Sequence, residues 1–174
     1  MTTAFIIRAK VDPDDAWIRE RLTIEWGSET IIVHGEVFSP ATLRGFVADK
    51  DGENVGLITY QESKDSLEII TLNSWFEGVG VGTALVQVVR RAAERLGCIK
   101  LVLTTTNDNT PAIRFYQKLG FRIAAIHCDA VTQSRRIKPQ IPEYGVDGIP
   151  VRDEIVLELR LDLDERRSES QGSR

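Results

Sequence analysis

Three glycines alternate with valines in Gly78-Val79-Gly80-Val81-Gly82, between a β-branched run ending near Asn73 and a segment with helical periodicity. Strand, glycine turn and helix N-terminus, in that order, build an anion site. The first amides of a helix have no acceptor within it, and the helix dipole favours negative charge there. Alternating glycines also remove side chains that would hold a phosphate away. Two nucleotide motifs fail at the level of residues. The spacing is G-x-G-x-G rather than the dinucleotide G-x-G-x-x-G, and Thr83-Ala84 follows Gly82 where a P-loop needs lysine. Cys98, Cys128, His34 and His127 are the chain's cysteines and histidines, and they show no metal-ligand spacing. No metal site is expected, and both cysteines read as buried apolar residues.

The elements that position this turn can be read on either side of it. A strand over residues 4–9 leads to a helix with Asp12 as N-cap and Pro13 in its first turn. The helix carries Trp17, Ile18, Leu22 and Trp26 at helical spacing and stops at Gly27. Residues 30–33 form a short β-branched run, and residues 39–43 a turn or one helical turn. Strands over 45–49, 54–61 and 66–73 form a meander, its first turn at Asp51-Gly52. After the glycine turn, Leu85, Val88, Val89, Ala92 and Leu96 mark a helix that Gly97 ends. A strand over 99–105 reads as buried on both faces. A helix over 109–119, stopped by Gly120, and strands over 121–128 and 154–161 complete the order. Residues 129–150 read as a long connection, and 162–174 as a charged, disordered tail. The fold class is α/β, with a mixed, mostly antiparallel central sheet flanked by helices. Residues 1–161 form its single domain.

Composition narrows the function. The chain has 174 residues, of which 42% are hydrophobic, enough for one domain to bury a core. Lysine plus arginine number 22 against 26 acids, a net charge of −4, so a general nucleic-acid binder is not expected. No apolar run reaches the ~18–20 residues that span a bilayer, and the N-terminus lacks a secretory leader pattern. The expectation is a cytoplasmic protein with no membrane and no nucleic-acid partner.

Residues 66–126 resemble the GNAT superfamily of acyl-CoA-dependent N-acyltransferases. That family carries a Gln/Arg-x-x-Gly-x-Gly/Ala turn, matched here by Glu77-Gly78-Val79-Gly80-Val81-Gly82. A second block, Asn109-Thr110-Pro111-Ala112-Ile113-Arg114-Phe115-Tyr116-Gln117-Lys118-Leu119-Gly120-Phe121, resembles the family's Asn-x-x-Ala-x-x-x-Tyr-x-x-x-Gly-Phe pattern. Glu77 departs from the family's Gln or Arg, so its carboxylate must point away from phosphate or be neutralised.

The resemblance implies a splayed sheet with acetyl-CoA in the cleft and residue roles that follow. Glu77, Gly78, Val79, Gly80, Val81, Gly82 and Thr83 would meet the pyrophosphate. The backbone of Ile70, Thr71 and Leu72 would hold the pantetheine amides and polarise the thioester carbonyl. Asn109 and Ala112 would lie along the arm, and Asn109 also reads as the N-cap of its helix. Tyr116 would sit beside the sulfur. Full proton transfer from tyrosine to a thiolate is uphill by roughly 2 kcal/mol, but a hydrogen bond that strengthens as charge develops needs no full transfer.

An amine acceptor arrives protonated and attacks only when neutral, so a base or a water relay is required. Glu68 is the leading candidate, because strand alternation puts it opposite Leu67 and Ile69; a plain solvent-facing residue is the other reading. Glu62, Asp65 and Glu36 are weaker alternatives. Trp26, Glu29, His34 and Glu36 are candidate acceptor contacts, although the spacing of Trp17 and Trp26 reads more readily as core. Arg135, Arg136 and Lys138 put positive charge on the 129–150 connection. It could line the site for an anionic or polar acceptor, make a dimer contact, or be a solvated loop. The expected activity is direct acetyl transfer from acetyl-CoA to a primary amine of a small molecule or peptide. The alternative is a non-catalytic CoA-binding or regulatory module of the same fold, and either would be a monomer or homodimer.

Overall fold

The structure is a computed structural model that describes residues 5–76 and 78–161. Glu77 and the tail 162–174 lie outside the described residues. The elements run β1 (Ile6–Ala9), α1 (Asp14–Trp26), β2 (Ile31–Val33), β3 (Glu36–Phe38), β4 (Arg44–Lys50), β5 (Glu53–Glu62), β6 (Ser66–Ser74), α2 (Val81–Arg95), β7 (Lys100–Thr106), α3 (Thr110–Lys118), β8 (Arg122–His127), α4 (Ala130–Ile137) and β9 (Glu154–Arg160). Seven strands form one sheet in the order β1-β4-β5-β6-β7-β9-β8, and β2 and β3 form a separate hairpin. Every neighbouring pair in the large sheet is antiparallel except β6–β7. The expected mixed, mostly antiparallel sheet flanked by helices is the architecture observed.

The main core lies between α2 and the sheet. Val81, Leu85, Val86, Val89, Ala92 and Ala93 recur at helical spacing and are buried against Ile58, Tyr60, Leu67, Ile69, Leu101 and Leu103. Gly56 of β5 lets the first turn of α2 sit close, since a Cβ there would lie 2.6 Å from Val81 Cγ1. A smaller cluster on the opposite face seats Ile18 and Leu22 of α1 on Ala41, Val47 and Leu57. Trp17 packs edge-on against Trp75 beside it, with ring centroids 5.4 Å apart.

Four sequence expectations need correction. Asp12 does not cap α1 with its side chain. Asp14, the first residue of the helix, instead reaches back: it accepts the Val11 N–H at 2.9 Å and is held by Arg8 of β1 through two bonds of 2.7 and 2.8 Å. β7 is not buried on both faces. Leu101 and Leu103 enter the core, while Val102 and Thr104 stay half-exposed on a face that carries polar groups. The 30–33 run does not stand alone: it is the first arm of a hairpin whose second arm is β3. The 129–150 connection contains α4, a helix of eight residues that buries Val131 and Ser134. Among the described residues, no helix is long and apolar enough to cross a membrane.

Candidate functional site

The site exists because two strands part. β6 and β7 pair from Ser66↔Lys100 only as far as Ile69↔Leu103. Beyond that point β6 keeps β5 and β7 keeps β9, so facing edges of both strands are left without a partner strand. At the same level Thr59 pairs with Thr71 while Tyr60 pairs with Ile69, which leaves Ile70 as an extra residue on β6. Such a bulge reverses the alternation that follows it. Leu67, Ile69 and Leu72 therefore all turn toward the α2 core, while Glu68 and Thr71 turn to the other face. The buried Thr59 and Thr71 hydroxyls bond each other at 2.8 Å and fix that register.

A cleft of about 380 Å³ opens at the parting. Ile70, Thr71, Leu72, Asn109, Ala112 and Tyr116, all expected to contact acetyl-CoA, line it together. Asn109 caps α3, its side-chain oxygen accepting the Ala112 N–H at 3.2 Å, so the capping reading of this residue holds. Tyr116 is 6% exposed and stands edge-on to Phe115 and Phe121, with centroids 5.1 and 5.3 Å away. Burial pushes its phenol above the ordinary tyrosine value. The group keeps its proton, as a donor to developing charge must.

Gly78, Val79, Gly80, Val81, Gly82 and Thr83 do not line this cleft; they form the turn and first residues of α2 beside it. Gly78 and Gly80 adopt φ of +78° and +82°, a region that disfavours side chains, and nothing lies within 4 Å of where their Cβ atoms would be. Among the described residues, no side chain caps α2. The open, uncapped amides suit an anion, and a Cβ built on Gly82 would lie 3.5 Å from the Phe115 ring, next to Tyr116. The donors present therefore fit a pyrophosphate.

Acidic groups lie on the other side: Glu154 lines the cleft, and Glu68 sits behind its wall, one residue before Ile69. Glu68 points away from Leu67 and Ile69, as alternation requires. Its side chain is 23% exposed, and its Oε1 is buried without a hydrogen-bond partner. Burial pushes this carboxyl above the ordinary value; His34 opposes that rise, and Glu36 and Glu154 add to it. Glu62 and Asp65 do not reach the site. Glu62 faces Arg44 at 3.5 Å, and Asp65 lies in the β5–β6 turn at the far end of β6.

Glu154 was not foreseen from the sequence, and it meets His34, an expected acceptor contact, from a distant segment. Glu154 opens β9 opposite both Thr106 and His127 and is 4% exposed. His34 sits at the tip of the β2–β3 hairpin with φ of +51°. Its Nδ1 lies 2.9 Å from Glu154 Oε2, its Nε2 lies 3.9 Å from Glu68 Oε1 and 3.0 Å from the Thr104 hydroxyl, and its backbone N–H donates to Glu154 Oε1 at 3.3 Å. The His34-Gly35 pair between two β-branched runs was the available signal, since such turns favour glycine.

Lys138, near the end of α4, also lines the cleft and donates to the Thr30 carbonyl at 2.7 Å. Burial pulls its ammonium below the ordinary lysine value. Arg135 is spent on structure, donating to the carbonyls of Ile141, Pro142 and Val151, and Arg136 is exposed. Trp26 is 40% exposed and lines the cleft, against its reading as core. Cys98 is buried as expected, but Cys128 is exposed.

Residues 12–121, more than half the chain, match the model of the Acetyltransferase (GNAT) family, and the chain belongs to that family. It is 43% identical over 138 residues to the uncharacterized protein YdhI of Bacillus subtilis (strain 168), which spans 79% of this chain and 86% of YdhI. Among solved structures, it resembles an IAA acetyltransferase from Bacillus cereus ATCC 14579 with a TM-score of 0.68 at 22% identity, covering 91% of this chain and 100% of the other. It also resembles a Bacillus subtilis acetyltransferase in complex with CoA, with a TM-score of 0.65 at 20% identity, covering 91% of this chain and 99% of the other.

Proposed function

We propose that this protein is an N-acetyltransferase that passes an acetyl group from acetyl-CoA directly to a primary amine of a small molecule or peptide. The observation that carries the reading is the parting of β6 and β7. The cleft at that point is lined by the buried Tyr116 phenol and by Glu154, with the anion-fitting turn beside it and the unpartnered Glu68 carboxylate oxygen one residue before Ile69 of its wall.

The residues divide the work. The amides around Gly78–Thr83 hold the pyrophosphate, and the free edge of β6 at Ile70–Leu72 takes the pantetheine amides as a neighbouring strand would. Asn109 and Ala112 flank the arm. Glu68, made a stronger base by burial, receives a proton from the acceptor ammonium, and the freed nitrogen lone pair attacks the acetyl carbon. As the carbon–sulfur bond breaks, the Tyr116 hydroxyl donates to the sulfur where charge appears. The acceptor enters between Trp26, Ile31, Ile32 and Ile141, which favour an apolar body, with Lys138 placed to meet an anionic group on it. The setting proposed for the chain is the cytoplasm.

The test is release of CoA thiol from acetyl-CoA with n-hexylamine, tyramine, spermidine, L-leucine and a tripeptide with a free N-terminus. Turnover with at least one, lost in Glu68→Gln, supports the reading. Acetyl-CoA binding without turnover on any of them would instead favour a CoA-binding module.

A further inference from the structure

Acetylating an ammonium releases a proton. The acceptor nitrogen loses two protons, the departing sulfur takes one, and the other must reach solvent in every turnover. Glu68 is poorly placed to release it alone. Its carboxyl is largely buried, and burial strengthens its hold on a proton. The side chain that bridges from Glu68 outward is His34. It is 39% exposed and lines a second, outer opening with His127, Cys128 and Gln133.

We propose that His34 carries the acceptor's proton from Glu68 to solvent, and that Glu154 is the positioning residue that aims its imidazole. This rests on the reading of Glu68 as the group that first takes the proton. The geometry has three parts. His34 Nε2 and Glu68 Oε1 are 3.9 Å apart, beyond a direct bond but within the span of a bridging water or a small side-chain shift. On the far side of the ring, Glu154 Oε2 lies 2.9 Å from Nδ1 as a close charge contact and is buried with no hydrogen-bond partner. A carboxylate oxygen that close attracts a ring proton to Nδ1, which would leave Nε2, beside the Thr104 hydroxyl, as the acceptor. Third, the hairpin tip itself is held. His34 has a φ that favours glycine, and the same Glu154 accepts its backbone N–H. One carboxylate thus fixes both the backbone and the ring.

The proton balance is simple. The N–H bond of the ammonium breaks and an O–H bond forms on Glu68. That proton passes to His34 Nε2, and the Nδ1 proton leaves on the Glu154 and solvent side. A turn of the ring or exchange with water restores the starting tautomer. The titratable groups facing the ring are Glu36 from β3, Glu68 from β6, His127 from β8, Cys128 just after it and Glu154 from β9, so any pH profile reads all of them.

The chain has two histidines, so a 15N-histidine spectrum of the intact protein contains two rings, and His127→Gln assigns them. Recorded at a pH where the ring is neutral, the wild-type His34 should carry its proton on Nδ1, shifting toward the Nε2-protonated form in Glu154→Gln. That substitution keeps an oxygen for the backbone N–H while removing the charge. A wild-type ring protonated on Nε2, or one that Glu154→Gln leaves unmoved, overturns the positioning. In turnover with the fastest amine of the five above, His34→Gln should lower kcat about 10- to 100-fold, within the range of general acid–base effects. The KM for acetyl-CoA should be unchanged, and added imidazole should restore rate to His34→Gly. Inactive Glu68→Gln alongside full-rate His34→Gln sinks the relay and leaves the base intact. Full-rate Glu68→Gln, or no turnover with any of the five amines, sinks the reading of Glu68 and the relay with it.

Discussion

The two sides of the cleft are built in different ways. The cofactor side is made largely of backbone: the open edge of β6 beyond Ile69, the turn at Gly78 and Gly80, and the first turn of α2. Its side chains come from one short helix, α3. The acceptor side is made of side chains from four separated stretches of chain, His34, Glu68, Lys138 and Glu154. Backbone recognition depends on local conformation and so leaves a compact trace in sequence. A charge cluster assembled across strands depends on topology and leaves none. On the proposed function, the first side would serve acetyl-CoA and the second would set which acceptor is used.

That contrast can be broken by substitutions on either side. The largest expected effect is at the point where the sides meet. Tyr116→Phe should lower kcat by about 100-fold, the scale of losing one donor to a developing charge, with little change in either KM. An unchanged kcat in a thiol-release assay would remove Tyr116 from the chemistry. Next is the backbone side. Gly80→Val forces a β-branched residue to φ of +82°, a cost of about 1–2 kcal/mol, and should raise the KM for acetyl-CoA about 10-fold while the acceptor KM stays put. A rise in the acceptor KM instead would mean that the turn serves the wrong side.

The acceptor side should show its charge in stability. Burial holds the Glu68 carboxyl above its unfolded value of 4.5, so the folded chain keeps that proton more tightly than the unfolded chain. Its favourable share is complete below pH 4.5 and is lost as pH rises through the raised value. Glu68→Gln should therefore raise Tm at pH 7, with the gain fading below pH 4.5. A lower Tm at pH 7 would mean that the carboxylate is held by stabilising partners. The smallest effect should be at Lys138. Lys138→Met should raise the KM for L-leucine only a few-fold, as loss of a partly exposed ion pair does, and leave that for 3-methylbutylamine unchanged. Equal effects on both amines would deny a carboxylate contact.

The sequence carried the cofactor side well for these physical reasons. Gly78-Val79-Gly80 announces its positive φ values, and Asn109 before Thr110-Pro111 announces a cap that the structure contains. The alternation around Leu67 and Ile69 correctly turned Glu68 outward, but the Ile70 bulge that reverses the pattern beyond it has no sequence signature. α4 was hidden because its eight residues sit inside a Pro- and Gly-containing stretch, and its arginines suggested a binding loop. Arg135 in fact ties backbone carbonyls together, and the neighbouring Lys138 reaches the cleft. Glu154 looked like one more acid at the start of an alternating strand. Only the sheet order, which puts β9 between β7 and β8, brings it to His34.

Because the cofactor side is a claim about backbone amides, hydrogen–deuterium exchange with and without acetyl-CoA tests it most directly. The account predicts slowed exchange at residues 70–72, 78–84 and 109–116, with little change at 130–138 or 154–160. Protection confined to those last two segments, or none at the glycine turn, would contradict it.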